Sequence, residues 1–136
     1  MALIYNNLGN TDIKVSNVCL GTMTFGEQTD YDEAFKILDF AYSNGINFID
    51  TAEMYPVYPK EETQGLTEKI IGKWMLNRKV RDKIILATKI CSNNAKGIGA
   101  TQLKWIRGGG QNLKFDKKNF ELAINESLKR LKTDYI

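Results

Sequence analysis

The chain has 136 residues, 43% of them hydrophobic and 26% charged, with a formal net charge of +3. This balance describes a folded globular chain and excludes the disordered and fibrous classes. Acidic residues interleave with basic ones, so no basic block points to nucleic acid or a lipid surface, while local anion sites stay open. The two cysteines, Cys19 and Cys91, lie in or just beyond apolar runs, without a CxxC pair and without any histidine in the chain. The expectation is therefore two reduced thiols and no metal site. Residues 1–7 carry no basic stretch followed by an apolar core, and no apolar run approaches the roughly 20 residues that span a bilayer. A cytoplasmic protein is expected.

Ile4 to Val15 alternates loosely around Gly9-Asn10, a turn signal, and predicts a short hairpin. Val18 to Met23 is a continuous apolar run closed by small residues, as strands of parallel sheets are. At Asp30 the period changes to that of a helix. Asp30 caps it, Glu33 stands in capping-box position, and Ala34, Phe35, Leu38, Ala41 and Tyr42 share one face. Asn44-Gly45 ends the helix, and Ile46 to Thr51 is a second buried strand.

Pro56 and Pro59 mark a loop. A helix then starts near Thr63 to Thr67, with Leu66, Ile70, Trp74 and Met75 on one stripe and lysines 69 and 73 on a solvated face that continues through lysines 79 and 83. Ile84 to Ile90 is a third strand. The segment from Cys91 to Leu113, with Gly97, Gly99 and Gly108-Gly109-Gly110, is too long for an ordinary connection and reads as a functional or insert loop. Its triple glycine lacks the Lys-Ser/Thr of a phosphate loop, which favours a flexible insert. Trp105 and Arg107 in it either reach substrate at the mouth of the fold or pack the loop on itself. A third helix is predicted from Asp116 to Leu131 with Phe120, Ile124, Leu128 and Leu131 inward. Thr133 to Ile136 reads as the start of a fourth strand.

Strand–helix alternation implies a parallel sheet with right-handed crossovers, in a barrel or in an open doubly wound sheet. In either, working residues gather at the C-terminal ends of strands. Asp50 closes the second strand, Lys89 the third, and Tyr55 stands on the loop five residues after Asp50. A phenol can donate a proton to a carbonyl oxygen gaining negative charge, and a nearby ammonium eases the transfer. A carboxylate can hold that ammonium in place. Such a set needs a hydride from outside the protein, and a nicotinamide cofactor is the natural complement. The plainer reading of the same residues is a packing tyrosine beside an ordinary ion pair.

The motifs carry a further signal. Leu20-Gly21-Thr22-Met23-Thr24-Phe25-Gly26 resembles the first-strand signature of aldo-keto reductases. Gly45 to Tyr55 resembles the family's second-strand motif, Ala87-Thr88-Lys89 its third-strand lysine motif, and Ser127 to Ile136 the approach to its fourth strand. Ala52 to Val57, Glu62 to Glu68 and Trp105 to Gly110 are most similar to the Tas-like branch of bacterial reductases. The resemblance implies an α/β chain: the N-terminal half of a (β/α)8 TIM barrel with a leading β-hairpin, truncated at the start of the fourth strand. Residues 1–136 then form one incomplete aldo-keto reductase domain, holding strands 1–3, helices 1–3 and the start of strand 4.

By the same resemblance Tyr55 is the proton donor, Lys89 its pKa-lowering partner and Asp50 the carboxylate that orients the lysine. Gly21, Thr22 and Met23 line the nicotinamide end of NADP(H), and Asp50 also faces the nicotinamide ribose. The hairpin plugs the barrel bottom. The family's catalytic histidine, at the end of the fourth strand, and most of its cofactor cradle are absent from this sequence. The implied activity is NADP(H)-dependent reduction of a small carbonyl substrate, impaired or absent in this chain. The alternatives are a non-catalytic cofactor-binding barrel and an inactive fragment of an interrupted gene that self-associates through its open barrel edge.

Overall fold

The computed structural model describes residues 3–92, 103–109 and 113–136. Gly97, Gly99 and Gly110 of the glycine-rich segment lie outside the described residues. β1 (Tyr5–Asn7) and β2 (Lys14–Ser16) form the expected antiparallel hairpin. Asn47 holds it to the sheet, accepting from the Ser16 amide at 2.7 Å and donating to the Lys14 carbonyl at 2.9 Å. Asn47 stands just before the strand that starts at Phe48, so the hairpin sits at the N-terminal end of the parallel strands, opposite the end where the candidate site lies.

β3 (Cys19–Gly21), β4 (Phe48–Asp50) and β5 (Ile85–Ala87) form one parallel sheet in chain order. Gly21, Asp50 and Ala87 stand level across it, so the three strands end flush. Side chains alternate between faces along a strand. Ile49 and Leu86 point to the helices and are buried, and Leu20 packs against the same core. Cys19, Gly21, Phe48, Asp50, Ile85 and Ala87 therefore face the other way.

α1 (Tyr31–Ser43), α2 (Leu66–Arg78) and α3 (Lys117–Leu131) supply the rest of the core. Asp30 caps α1 by accepting from the Glu33 amide at 2.9 Å, whereas the Glu33 carboxylate pairs with Lys36. Ala34, Leu38 and Ala41 are buried as expected, while Tyr42 stays half in solvent and meets the Trp74 ring edge-on. In α2, Ile70, Ile71, Trp74 and Met75 are almost wholly buried. The Trp74 indole donates to Asp39 of α1 at 2.8 Å, so this large apolar side chain also satisfies its one polar atom.

Three sequence-based expectations need correction. The inward row of α3 is Asn119, Ala123, Ser127 and Leu131, not Phe120, Ile124 and Leu128. Only Leu131 is common to both; Phe120 is exposed and the other two lie on the flank. The rotation follows from how closely α2 and α3 approach. A methyl group built on Gly72 of α2 would lie 2.5 Å from the Arg130 carbonyl oxygen and 2.6 Å from the Leu131 carbonyl carbon. With backbone on backbone at this crossing, small residues rather than large ones turn inward. Gly72→Ala is accordingly expected to destabilise the chain by about 1–3 kcal/mol, since overpacking against immovable backbone outweighs the ~0.8–1 kcal/mol that alanine gains in a helix. A lower urea midpoint checks this.

The second correction concerns Thr133 to Ile136, which form no strand in this chain. Tyr135 instead gives its carbonyl to the Arg81 guanidinium at 2.7 Å, and its ring lies 3.7 Å under the same group. The long segment also differs from a flexible insert where it is described. Leu103, Ile106 and Leu113 bury with Cys91 in a second small core that Met54 and Trp105 complete.

Candidate active site

The site is built where β4 and β5 end. Asp50 is the last residue of β4, and the chain then turns through Ala52 and Glu53 to Tyr55. The turn is held from three sides. The Tyr55 amide donates to the Ala52 carbonyl at 3.1 Å, Gly65 donates to the Tyr55 carbonyl at 2.9 Å, and Val57 donates to the Met23 carbonyl at 2.8 Å. Lys89 follows β5 by two residues. Its Nζ donates to Asp50 Oδ2 at 2.6 Å and to the Thr51 carbonyl at 2.8 Å, and lies 4.8 Å from the Tyr55 ring centroid. The structure thus brings Asp50, Tyr55 and Lys89 into contact.

Electrostatics at the site favour a permanent ammonium. Burial works against the charge of Lys89, but hydrogen bonds with Asp50 and then Tyr55 outweigh it, and its pKa is held above the ordinary lysine value. The sign is that of a cation gaining a partner on folding. Its stabilising contribution is fully present below the unfolded-state pKa and is lost only as pH rises through the higher folded value. Both side chains remain well exposed, 38% for Asp50 and 47% for Lys89. Such a pair contributes little to stability, and its ammonium stays within reach of a ligand.

A cavity of about 400 Å³ opens beside this pair, lined by Met54, Tyr55, Lys89, Ile90, Cys91 and Phe115 among others. Its wall is mainly apolar, with one cation and one phenol, a composition that suits a small organic molecule. On the β3 side, Gly21 stands level with Asp50, and a Cβ built there would meet nothing within 4 Å. Met23 is exposed, whereas Thr22 is wholly buried and turns its hydroxyl to the Asp50 carbonyl at 2.8 Å. Gly21 and Met23 therefore border open space beside Asp50, while Thr22 fixes the strand that carries it.

Several neighbours carried no sequence signal as site residues. Thr51 contributes its backbone carbonyl to Lys89, which residue type does not reveal. Phe115 reaches the cavity from just before α3. Cys19 stands close enough to the site that burial first, and then the Asp50 charge, push its thiol pKa up, with Lys89 opposing them. Burial and then the Glu53 charge likewise raise the Cys91 thiol, and both cysteines are free. Arg107, one of two side chains expected either at the mouth or in loop packing, takes the second place. It is buried against Glu53, in an ion pair that the chain spacing does not announce.

Known proteins place this arrangement in a lineage. Protein tas of Escherichia coli (strain K12) is 44% identical over 135 residues, covering 97% of this chain and 36% of the relative. The uncharacterized oxidoreductase YrpG of Bacillus subtilis (strain 168) is 41% identical over 142 residues, covering 97% of this chain and 37% of its own length. Among solved structures, the holo form of aldo-keto reductase AKR11C1 from Bacillus halodurans superposes with a TM-score of 0.72 at 34% identity. That match covers 98% of this chain and 38% of the other. Three parallel strands in chain order occur in barrels and in doubly wound sheets alike; the superposition decides for a partial TIM barrel with its leading hairpin. The chain spans little more than a third of the length of these relatives. The aldo/keto reductase family model matches residues 17–136, and with most of its length so matched this chain belongs to the aldo/keto reductase family.

Proposed function

We propose that residues 1–136 form part of an aldo-keto reductase domain and carry the proton-delivery side of an NADP(H)-dependent carbonyl reductase. The observation that carries this reading is the contact of Lys89 Nζ with Asp50 and with the Tyr55 ring at the edge of an open, mainly apolar cavity. In it Tyr55 gives a proton to the carbonyl oxygen, Lys89 steadies the developing phenolate, and Asp50 keeps Lys89 in place. A nicotinamide cofactor, when bound, supplies the hydride. The residues fit such a group: the space over Gly21, beside the half-exposed Asp50, admits a flat ring close to the backbone. Gly21, Met23 and Asp50 would border it, with Thr22 supporting them from within.

The substrate is a small aldehyde or ketone. NADP(H) is preferred over NAD(H) on the strength of family likeness. We place the protein in the cytoplasm, which its two free cysteines support; no helix among the described residues is long and apolar enough to cross a membrane. Because the chain spans 36% of Protein tas, full activity is proposed for a protein of family length that carries this chain. The 136-residue chain alone is read as a fragment with little or no turnover that self-associates through its open sheet edge.

Oxidation of NADPH in the presence of a panel of small aldehydes and ketones tests this on both lengths. Turnover by the family-length protein and none by the short chain is the expected result. Steady turnover by the short chain would remove the impairment, and no turnover at family length with any carbonyl would remove the reductase reading.

A further inference from the structure

Glu53 stands two residues before Tyr55, and Cys91 stands two residues after Lys89. The Glu53 and Arg107 side chains are almost wholly buried, 1% and 2% exposed, and form an ion pair through Glu53 Oε1 and Arg107 Nη1. The pair then takes hold of the backbone at Cys91 from both sides. Glu53 Oε1 accepts from the Cys91 amide at 2.5 Å, and Arg107 Nη2 donates to the Cys91 carbonyl at 2.9 Å. The Glu53 backbone is tied as well, its amide to the Lys89 carbonyl at 3.1 Å and its carbonyl to Gln64 Nε2 at 2.5 Å. One pair thereby joins the Tyr55 loop, the end of β5 and the segment 103–109.

Stability alone does not account for such a pair. Desolvating two ions offsets most of their attraction, and well-packed apolar residues serve a core as well or better. Glu53 Oε2 is also buried with no hydrogen-bond partner among the described residues, a further cost. What a buried, multiply bonded pair does supply is a fixed geometry. Here the geometry is that of the two backbone stretches carrying Tyr55 and Lys89. Ala52 and Met54, on either side of Glu53, line the cavity, as does Cys91, whose backbone the pair grips.

We propose that Glu53 and Arg107 are positioning residues, a role resting on the reading of Tyr55, Lys89 and Asp50 above: they lock the Tyr55 loop to the end of β5 and so hold Lys89 against Asp50. Neither touches the open cavity. Both act through Cys91 and through the backbone of Glu53 itself.

The test reads the geometry at Lys89 without cofactor or turnover. Acetic anhydride labels the neutral amine only, so a lysine held as ammonium by Asp50 labels slowly. Labelling of the 136-residue chain at about pH 8.5, where unperturbed lysines are mostly charged, is followed by mass spectrometry. The exposed Lys36 and Lys117 serve as internal references. Arg107→Met is expected to raise Lys89 labelling about five- to tenfold over the references, as the ammonium loses the partner that holds its proton. Asp50→Asn, as the positive control, should do the same, and Arg107→Lys should give a smaller rise. Unchanged Lys89 labelling in a folded Arg107→Met chain overturns the proposal.

Should Arg107→Met unfold, all lysines rise together, and the decision passes to Arg107→Lys and Glu53→Asp in chains with native circular dichroism. Lys89 must then rise selectively in at least one, and no selective rise in either overturns the proposal. The two readings fail separately. Lys89 released by Arg107→Met, with carbonyl turnover indifferent to Tyr55→Phe, would remove the reductase reading alone. Tyr55-dependent turnover with Lys89 unmoved would remove the positioning role alone.

Discussion

Tyr55→Phe, made in a protein of family length, is expected to lower kcat for carbonyl reduction by about 10²–10⁴-fold, the range of a lost general acid. Phenylalanine keeps the ring that lies 4.8 Å from Lys89 Nζ and removes only the hydroxyl. Cofactor affinity and the unfolding midpoint should therefore stay close to those of the parent. Lys89→Met should lower kcat as well, again with little loss of stability, because the Lys89–Asp50 pair is largely exposed and exposed pairs contribute about 0–1 kcal/mol. The contrast separates the two readings of these residues. A packing tyrosine beside an ordinary ion pair predicts small changes in both quantities. A proton-delivery site predicts a large change in rate and a small one in stability. Steady-state kinetics, with fluorescence titration of NADPH binding and urea unfolding of each variant, gives all three quantities.

The largest expected effect on stability lies away from the site. Glu68 of α2 is wholly buried, accepting from Arg130 Nε of α3 at 2.6 Å and from the Thr88 hydroxyl beside β5 at 2.7 Å. This carboxylate ties both helices to the sheet. Arg130→Met leaves it buried with one neutral partner and is expected to cost about 3–5 kcal/mol, the cost of an uncompensated buried charge. A domain holds only about 5–15 kcal/mol in total, so the variant should unfold at markedly lower urea. The double variant Glu68→Gln, Arg130→Met removes the stranded charge and keeps an acceptor for Thr88. It should recover most of the loss, because the penalty belongs to the unpaired ion. Urea melts of the two single variants and the double one check this; a double variant as unstable as Arg130→Met would contradict it.

Much of this fold was legible in the sequence because hydrophobic period and end signals agree. Asp30 caps α1 where expected, Asn44-Gly45 closes it, and the apolar runs at 18–23, 46–51 and 84–90 contain β3, β4 and β5. Parallel pairing sets Asp50 level with Ala87, two residues before Lys89, so the meeting of the two side chains could be anticipated. The face of α3 could not. Its apolar stripe at Phe120, Ile124 and Leu128 is a property of the helix alone, whereas the row that turns inward depends on how near α2 comes at Gly72. The Glu53–Arg107 pair was hidden for a similar reason. The two residues lie 54 positions apart, with no periodicity between them, and their meeting depends on how the segment 103–109 packs back over the Tyr55 loop. Thr22 shows the same limit on a smaller scale. Its place in a strand-end motif does not reveal that its hydroxyl turns to the Asp50 backbone.

In the proposed reaction Tyr55, Lys89 and Asp50 of this chain serve hydride transfer to a carbonyl carbon. The most direct measurement is the fate of deuterium from NADPH deuterated at the transferring C4 position, mixed in one turnover with an aromatic aldehyde and the family-length protein. Deuterium is expected on the alcohol carbon, formed quickly by the parent and at least about 100-fold more slowly by Tyr55→Phe. Absence of deuterium from the alcohol, or equal rates for the two proteins, would contradict the proposed reaction.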